Sequence, residues 1–335
     1  MEKRILGNSD LELTTIGLGT WAMGGDDWAF GWGPQDDWVS QKAVHEAIDS
    51  GISWIDTAPV YGLGRAEEVV GQAIRDRRNE VIVATKCGRV WDNARLIGKR
   101  LKKDSIKQEL EASLRRLGIE RVDLYQMHWP EPDEEIEEGW STIVELIQEG
   151  KVRYGGVSNF RLEQLKRVHA IHPVTSLQPP YSMFRRSIEK DLLPFCAENQ
   201  IGVIAYSPMQ AGLLTGKFTK ESAAALPETD WRKRSPFFNE PQLSINLETI
   251  DQLRPIAAKN GLAMAQLALA WILREPVMTA AIVGARRPGQ IAETVKACGV
   301  FLSEEDLTAV GTILQERERR APELDGAQLR PQVAK

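Results

Sequence analysis

Four ionisable side chains stand where apolar runs of this 335-residue sequence end. Asp56 closes the run WIDTA, Lys86 closes VATK and His128 closes LYQMH; Tyr61 follows Asp56 in the glycine-flexed turn VYGLGRAEE. Singly, each has an ordinary reading. A Lys or Asp at a strand end is commonly an ion-pair residue, and a lone His is commonly structural. Together their chemistries are complementary. A tyrosine hydroxyl, with a reference pKa of about 10, is a poor acid at neutral pH. A neighbouring lysine ammonium lowers that value by stabilising the phenolate. Asp56 can hold Lys86 charged and oriented, and His128 can donate to a substrate oxygen or relay a proton. Tyr61 is then a general acid toward a carbonyl becoming an alkoxide.

For these groups to meet, the runs that carry them must be neighbouring parallel strands. Eight candidate strands are legible: Thr15–Gly19, Ser53–Asp56, Val81–Lys86, Asp123–His128, Tyr154–Ser158, Thr175–Gln178, Gly202–Tyr206 and Ala280–Val283. Most lack period-two alternation, as strands buried on both faces do. Helical patterns separate them at Ser40–Ser50, Glu67–Asp76, Ser105–Leu117, Ile136–Gln148, Leu162–Val168, Ile188–Asn199 and Pro288–Ala297. Ser40 is the expected N-cap of the first, Asp104 or Ser105 of the third, and Gly118 its C-terminal stop. The pattern predicts an α/β protein, a single (β/α)8 TIM barrel. A doubly wound sheet is the alternative. An N-terminal β-hairpin, Arg4–Leu6 with Glu12–Leu13 around Gly7 and Asn8, is placed to plug the barrel bottom. Long post-strand loops, Gly24–Trp38 and Ala211–Asn246, project from the catalytic face. Residues 1–320 form the expected domain, and 321–335 a polar tail.

Lys plus Arg total 42 against 47 for Asp plus Glu, a net charge of −5, so no general field favours nucleic acid. Apolar residues make up 42%, enough for a sizeable core. Cys87, Cys196 and Cys298 are odd in number and form no CxxC pair, which argues against a disulfide framework or structural zinc. The start MEKRILGNSD has no apolar signal segment, and the apolar run Gly261–Leu273 is too short to span a bilayer. A cytoplasmic protein with no nucleic-acid, membrane or metal partner is expected.

Over nearly its whole length the chain resembles the aldo-keto reductase family. The resemblance is carried by IGLGTWAMGG, DTAPVYGLGRAEEVVGQAI, ATKCG, DLYQMHWP, GVSNF, QPPYSMF, YSPMQAGLLTGKF and IVGARRPGQI. Bacterial NADPH-dependent reductases of the general-stress and inositol-operon type look most similar. The resemblance implies that Asp56, Tyr61, Lys86 and His128 are the catalytic tetrad, with Tyr61 the proton donor to a small-molecule carbonyl substrate. It implies NADP(H) as cofactor. Ser158, Asn159 and Gln178 would bind the nicotinamide carboxamide, Tyr206 would stack on its ring, and Thr20 and Trp21, with Asp56, would line the ribose side. Ser207, Pro208, Met209, Gln210, Ala211 and Lys217 would cradle the pyrophosphate, and Arg232 would contact the cofactor. Gly284, Ala285, Arg286, Gln290 and Glu293 would hold the adenosine 2′-phosphate and adenine; Thr294 stands where the family commonly has an amide. Independently, Arg286 and Arg287 supply forked donors for a phosphate, and Pro288 suits the first turn of a helix there.

Two other functions fit part of this pattern: an NADPH-binding redox-sensing or regulatory subunit with little turnover, and a Schiff-base enzyme using Lys86 as nucleophile. The adjacent Asp56 argues against the latter by keeping the lysine protonated. Of the tryptophans, Trp21 and Trp129, beside strand ends, are the better pocket candidates; Trp28, Trp32 and Trp38 are as readily loop packing. The substrate is left open among α-dicarbonyls, aldehydes and sugar-derived ketones.

Overall fold

The computed structural model describes residues 1–228 and 230–322. An N-terminal antiparallel hairpin joins β1 (Lys3–Ile5) to β2 (Glu12–Thr14). Then come β3 (Ile16–Gly19), β4 (Trp54–Asp56) and β5 (Ile82–Cys87), a second antiparallel hairpin of β6 (Arg89–Trp91) and β7 (Ile97–Lys99), and β8 (Val122–Met127). β9 (Val152–Ser158), β10 (Ser176–Gln178), β11 (Gly202–Ala205) and β12 (Met278–Gly284) complete the strands. Apart from the two hairpins, the strands close into one parallel barrel in the order β10-β11-β12-β3-β4-β5-β8-β9. Closure leaves the barrel itself without an edge and excludes the doubly wound alternative.

The helices are α1 (Asp37–Asp49), α2 (Arg65–Ile74), α3 (Lys103–Leu117), α4 (Ile136–Gln148), α5 (Leu162–His169), α6 (Leu192–Glu198), α7 (Lys220–Ala224), α8 (Gln242–Lys259), α9 (Met264–Leu273), α10 (Gln290–Thr294) and α11 (Glu304–Arg320). The apolar run before the last barrel strand is α9, buried at all ten positions. No single helix among the described residues is long and apolar enough to cross a membrane. Gly118 takes the left-handed conformation after α3, as its type requires.

Several local expectations are corrected. Asp36, not Ser40, caps α1: its carboxylate accepts from the Val39 N–H, while Ser40 is buried one turn in and bonds back to the Asp36 carbonyl. Helix α3 begins at Lys103 with Lys102 at its N-cap, which places Asp104 and Ser105 inside the first turn. Pro288 precedes α10 rather than opening it, because Gly289 in a left-handed conformation is the N-cap. The Ala211–Asn246 insertion holds α7 and the start of α8, and the β6–β7 hairpin was not foreseen: its three-residue strands are too short for periodicity to reveal. The tail expected at 321–335 lies, beyond Pro322, outside the described residues.

Leu6, Leu11 and Leu13 of the first hairpin join Trp54, Ala84, Leu124, Ile204, Ala280 and Ile282 in a cluster inside the barrel, so the hairpin does plug it. Its turn presses on the strands: at Gly7 (φ +51°) a Cβ would lie 2.3 Å from the Thr175 carbonyl oxygen. The main core lies between strands and helices. With one end stoppered, the opposite rim is where Asp56, Lys86, Ser158 and Gln178 end or close their strands and where His128 and Tyr206 follow theirs.

Candidate active site

Side chains alternate along β5, so Lys86 points into the barrel while Thr85 points out. The Lys86 side chain is fully buried, and its Nζ donates to Asp56 Oδ2 at 2.6 Å, the Thr57 carbonyl at 2.9 Å and the Tyr61 hydroxyl at 3.3 Å. The His128 ring meets the Tyr61 ring edge-on, centroids 5.8 Å apart. The four side chains named from strand ends therefore converge. Asp56 Oδ1 accepts from Gln178 Nε2 at 2.8 Å and from Gln126 Nε2 at 3.4 Å. Gln126 was missed; its signal was its place two residues before His128, one strand alternation back along β8.

The electrostatics differ from the sequence expectation at Tyr61. Its phenol is held well above the ordinary value, first by burial and then by the Asp56 charge and Tyr206, not lowered by Lys86. Burial pulls Lys86 down, with Asp56 and Glu67 opposing it. His128 is held well below the usual imidazole range by burial and by the charges of Lys86 and Arg89, so the neutral ring is favoured at neutral pH. Its Nδ1 is buried without a hydrogen-bond partner. In this state the transferable proton sits on Tyr61.

Beside the tetrad, Asn159 (φ +64°) donates to the His128 carbonyl at 2.9 Å and to Ser158 Oγ at 3.0 Å, and accepts from the Tyr206 hydroxyl at 2.8 Å. Ser158 Oγ donates to the Gln178 carbonyl at 2.8 Å. Thr20 turns its hydroxyl to the Asp56 carbonyl. After β11, the non-glycine residues Ser207, Gln210 and Ala211 all have positive φ, a clustering of backbone strain typical of functional loops. Arg232 faces this segment, its Nη1 3.5 Å from the Ala211 carbonyl, and is paired with Asp230. Lys217 reaches Glu293 at 3.1 Å. Pro208 and Met209 lie in the same segment.

At the far end, Gly284 is exposed and Ala285 buried. Arg286 is held in place: its Nε donates to Gln35 Oε1, Nη1 to the Trp32 carbonyl and Nη2 to the Pro34 carbonyl, at 2.8–3.0 Å, three of its five N–H donors. Gln290 Oε1 accepts from the backbone N–H groups of Arg286 and Arg287. Arg287 is exposed. Thr294 bonds back to the Ile291 carbonyl. Among the described residues no group of His, Cys, Asp and Glu is arranged to hold a metal ion.

Trp21 lies 6.3 Å from Tyr61 in near-parallel planes, with Trp231 stacked 6.2 Å away from it; Trp28 stands 6.1 Å from Tyr61 and Trp32 6.3 Å from Trp21. Trp28 and Trp32 thus belong to the site wall. Trp38 does not: it is 63% exposed under the Lys42 ammonium. Trp129 packs against the Arg89 guanidinium. A cavity of about 730 Å³ opens beside this rim, touching Asn159 and lined otherwise by residues such as Pro130, Arg161 and Asp191; it does not contain the tetrad.

Known proteins share this arrangement of chain. The model of the aldo/keto reductase family matches residues 15–315. The aldo-keto reductase YhdN of Bacillus subtilis is 39% identical over 318 residues, 94% of each chain. The NADH-specific methylglyoxal reductase of Escherichia coli is 35% identical, over 95% of this chain and all of that one. Among solved structures, the glycerol dehydrogenase AKR11B4 of Gluconobacter oxydans superposes with a TM-score of 0.87 at 37% identity, over 97% of this chain and 98% of that one.

Proposed function

The chain belongs to the aldo/keto reductase family, and from that premise we propose that it is an NADP(H)-dependent oxidoreductase of the cytoplasm that reduces aldehydes or ketones to alcohols. The barrel over residues 1–320 is read as one domain. The observation that carries the proposal is the buried ammonium of Lys86 bridging the Asp56 carboxylate and the Tyr61 hydroxyl.

The rim residues suit a nicotinamide dinucleotide: a turn at Ser207–Ala211 with three non-glycine residues at positive φ, the cations Lys217, Arg232 and Arg287, and polar groups at Ser158, Asn159 and Gln178 beside the tetrad. When bound, the cofactor supplies the hydride. The chain's own residues do the rest. Trp21 and Trp28 wall the space over Tyr61 and exclude water. Tyr61 donates its proton to the carbonyl oxygen. Lys86, held by Asp56, stabilises the phenolate left behind. Neutral His128 offers a hydrogen bond to the same oxygen. Asn159 and Tyr206, already bonded to each other, would face the nicotinamide. Replacing Tyr61 by Phe is expected to cut kcat by roughly 10³-fold while NADPH binding stays intact; near-normal turnover would overturn the mechanism.

NAD(H) is a second reading with an observation behind it. Each guanidinium nitrogen of Arg286 already donates to residues 32–35, and both Glu46 carboxylate oxygens accept from the Gly289 N–H. The E. coli relative is named NADH-specific. Dissociation constants for the two reduced dinucleotides, read from quenching of tryptophan fluorescence, decide between them. A substrate panel should start with methylglyoxal and the carbonyl counterparts of glycerol, after the named relatives.

A further inference from the structure

A second carboxylate is buried behind the tetrad. Glu67, in the first turn of α2, has no solvent exposure. Its Oε1 accepts from the Thr85 hydroxyl at 2.6 Å, and its Oε2 from Arg116 Nε of α3 at 2.7 Å. Thr85 is the outward-facing neighbour of Lys86 on β5. Glu67 lies six residues after Tyr61, and the turn between them closes on itself, with the Ala66 N–H donating to the Tyr61 carbonyl. That turn also rests on Arg116: at Gly64 (φ +107°) a Cβ would come within 2.9 Å of Arg116 Cδ. One carboxylate therefore clamps the segment bearing the phenol, the strand bearing the ammonium and the helix outside both. An unpaired carboxylate at this depth would be costly, so the three-way contact is strongly enforced.

We propose that Glu67 is a positioning residue for proton delivery: through Thr85 and Arg116 it sets the placement of the Tyr61 hydroxyl against Lys86. This rests on reading Tyr61 as the proton donor. The charged and titratable groups facing the pair are Asp56 of β4, Glu67 with its partner Arg116, His128 and Tyr206, while Tyr125 of β8 also senses Glu67. Glu67→Gln keeps an acceptor for Thr85 but leaves the Arg116 charge uncompensated. The lost negative charge favours deprotonation of Lys86, which senses Glu67.

The test is steady-state carbonyl reduction across pH by the full-length protein. Thr85→Val, which exchanges the hydroxyl for a methyl group of similar size, should lower kcat about tenfold with KM and NADPH affinity within about twofold. Glu67→Gln should move the alkaline limb of kcat to lower pH, and the double variant Glu67→Gln, Arg116→Gln should move it back. If these changes lower the melting temperature alone, with kcat per folded molecule and the alkaline limb unchanged, Glu67 is merely structural and the proposal fails. If the wild-type protein reduces no carbonyl, the reading of the reaction fails instead. The positioning claim is then judged by NMR of protein labelled at tyrosine Cζ, with five tyrosines in the chain and Tyr61→Phe assigning the signal. A Tyr61 resonance shifted in Thr85→Val supports it; an unmoved one overturns it.

Discussion

At Lys86, burial and an opposite charge pull against each other, and the outcome fixes where the proton rests. Burial disfavours the ammonium, while Asp56 at 2.6 Å favours it. The same burial keeps the Tyr61 proton in place, so the phenol rests protonated rather than ionised. Glu109 of α3 shows the same physics away from the tetrad. Its carboxylate accepts from the Gly88 N–H at 2.8 Å and from Ser105 Oγ at 3.1 Å, yet burial pushes it up to about 7. A carboxylate raised above its unfolded value binds its proton more tightly in the folded chain. Its contribution is complete below the unfolded pKa, near 4.3, and is lost as pH rises through about 7. Stability toward urea should therefore fall across about pH 4.5–7, by at most about 1.4 kcal/mol per pH unit from this group. Glu109→Gln should flatten that slope; an unchanged slope would rule Glu109 out as its source.

At the scale of elements, the segment between β3 and α1 is bolted from two sides. Arg286 holds residues 32–35 from the end of the barrel after β12, and Arg65, at the start of α2, bonds the Gln35 carbonyl and Asp37. Charge-assisted bonds of this kind contribute about 1.5–3 kcal/mol each. Arg286→Ala should accelerate amide hydrogen exchange around residues 32–36 and expose the segment to protease. Arg287→Ala, at an exposed cation, should leave exchange unchanged and weaken NADPH binding about tenfold, with NADH less affected. If Arg287→Ala leaves both dinucleotides alone and Arg286→Ala weakens NADPH selectively, the phosphate is held by Arg286 and not by Arg287.

Across the whole molecule the two ends of the barrel divide the work. The hairpin end packs and the opposite rim carries the polar machinery, as expected for this architecture. Gly7→Val would force a side chain into the Thr175 carbonyl at a positive φ. It should cost about 2–4 kcal/mol of stability, seen as a lower denaturation midpoint, and leave the kinetics of the folded fraction unchanged. A selective loss of kcat in the folded variant would show that the two ends are coupled.

The barrel, its parallel strands and the convergence of Asp56, Tyr61, Lys86 and His128 were legible in the residues, because each follows from local pattern. An apolar run without alternation means a strand covered on both faces, and a polar residue closing such a run must lie at its end. Helix starts were displaced by a few residues, since several polar residues compete for one cap and the winner depends on what the helix must bury. Only the folded chain decided that Glu67 reaches Thr85 and Arg116, that Arg286 serves the 32–35 segment, and that Trp28, Trp32 and Trp231 rather than Trp38 wall the site. Those pairings join residues far apart in the chain. A side chain advertises how many hydrogen bonds it can make and not with whom, and burial, which sets the protonation of Tyr61, exists only after the elements have packed.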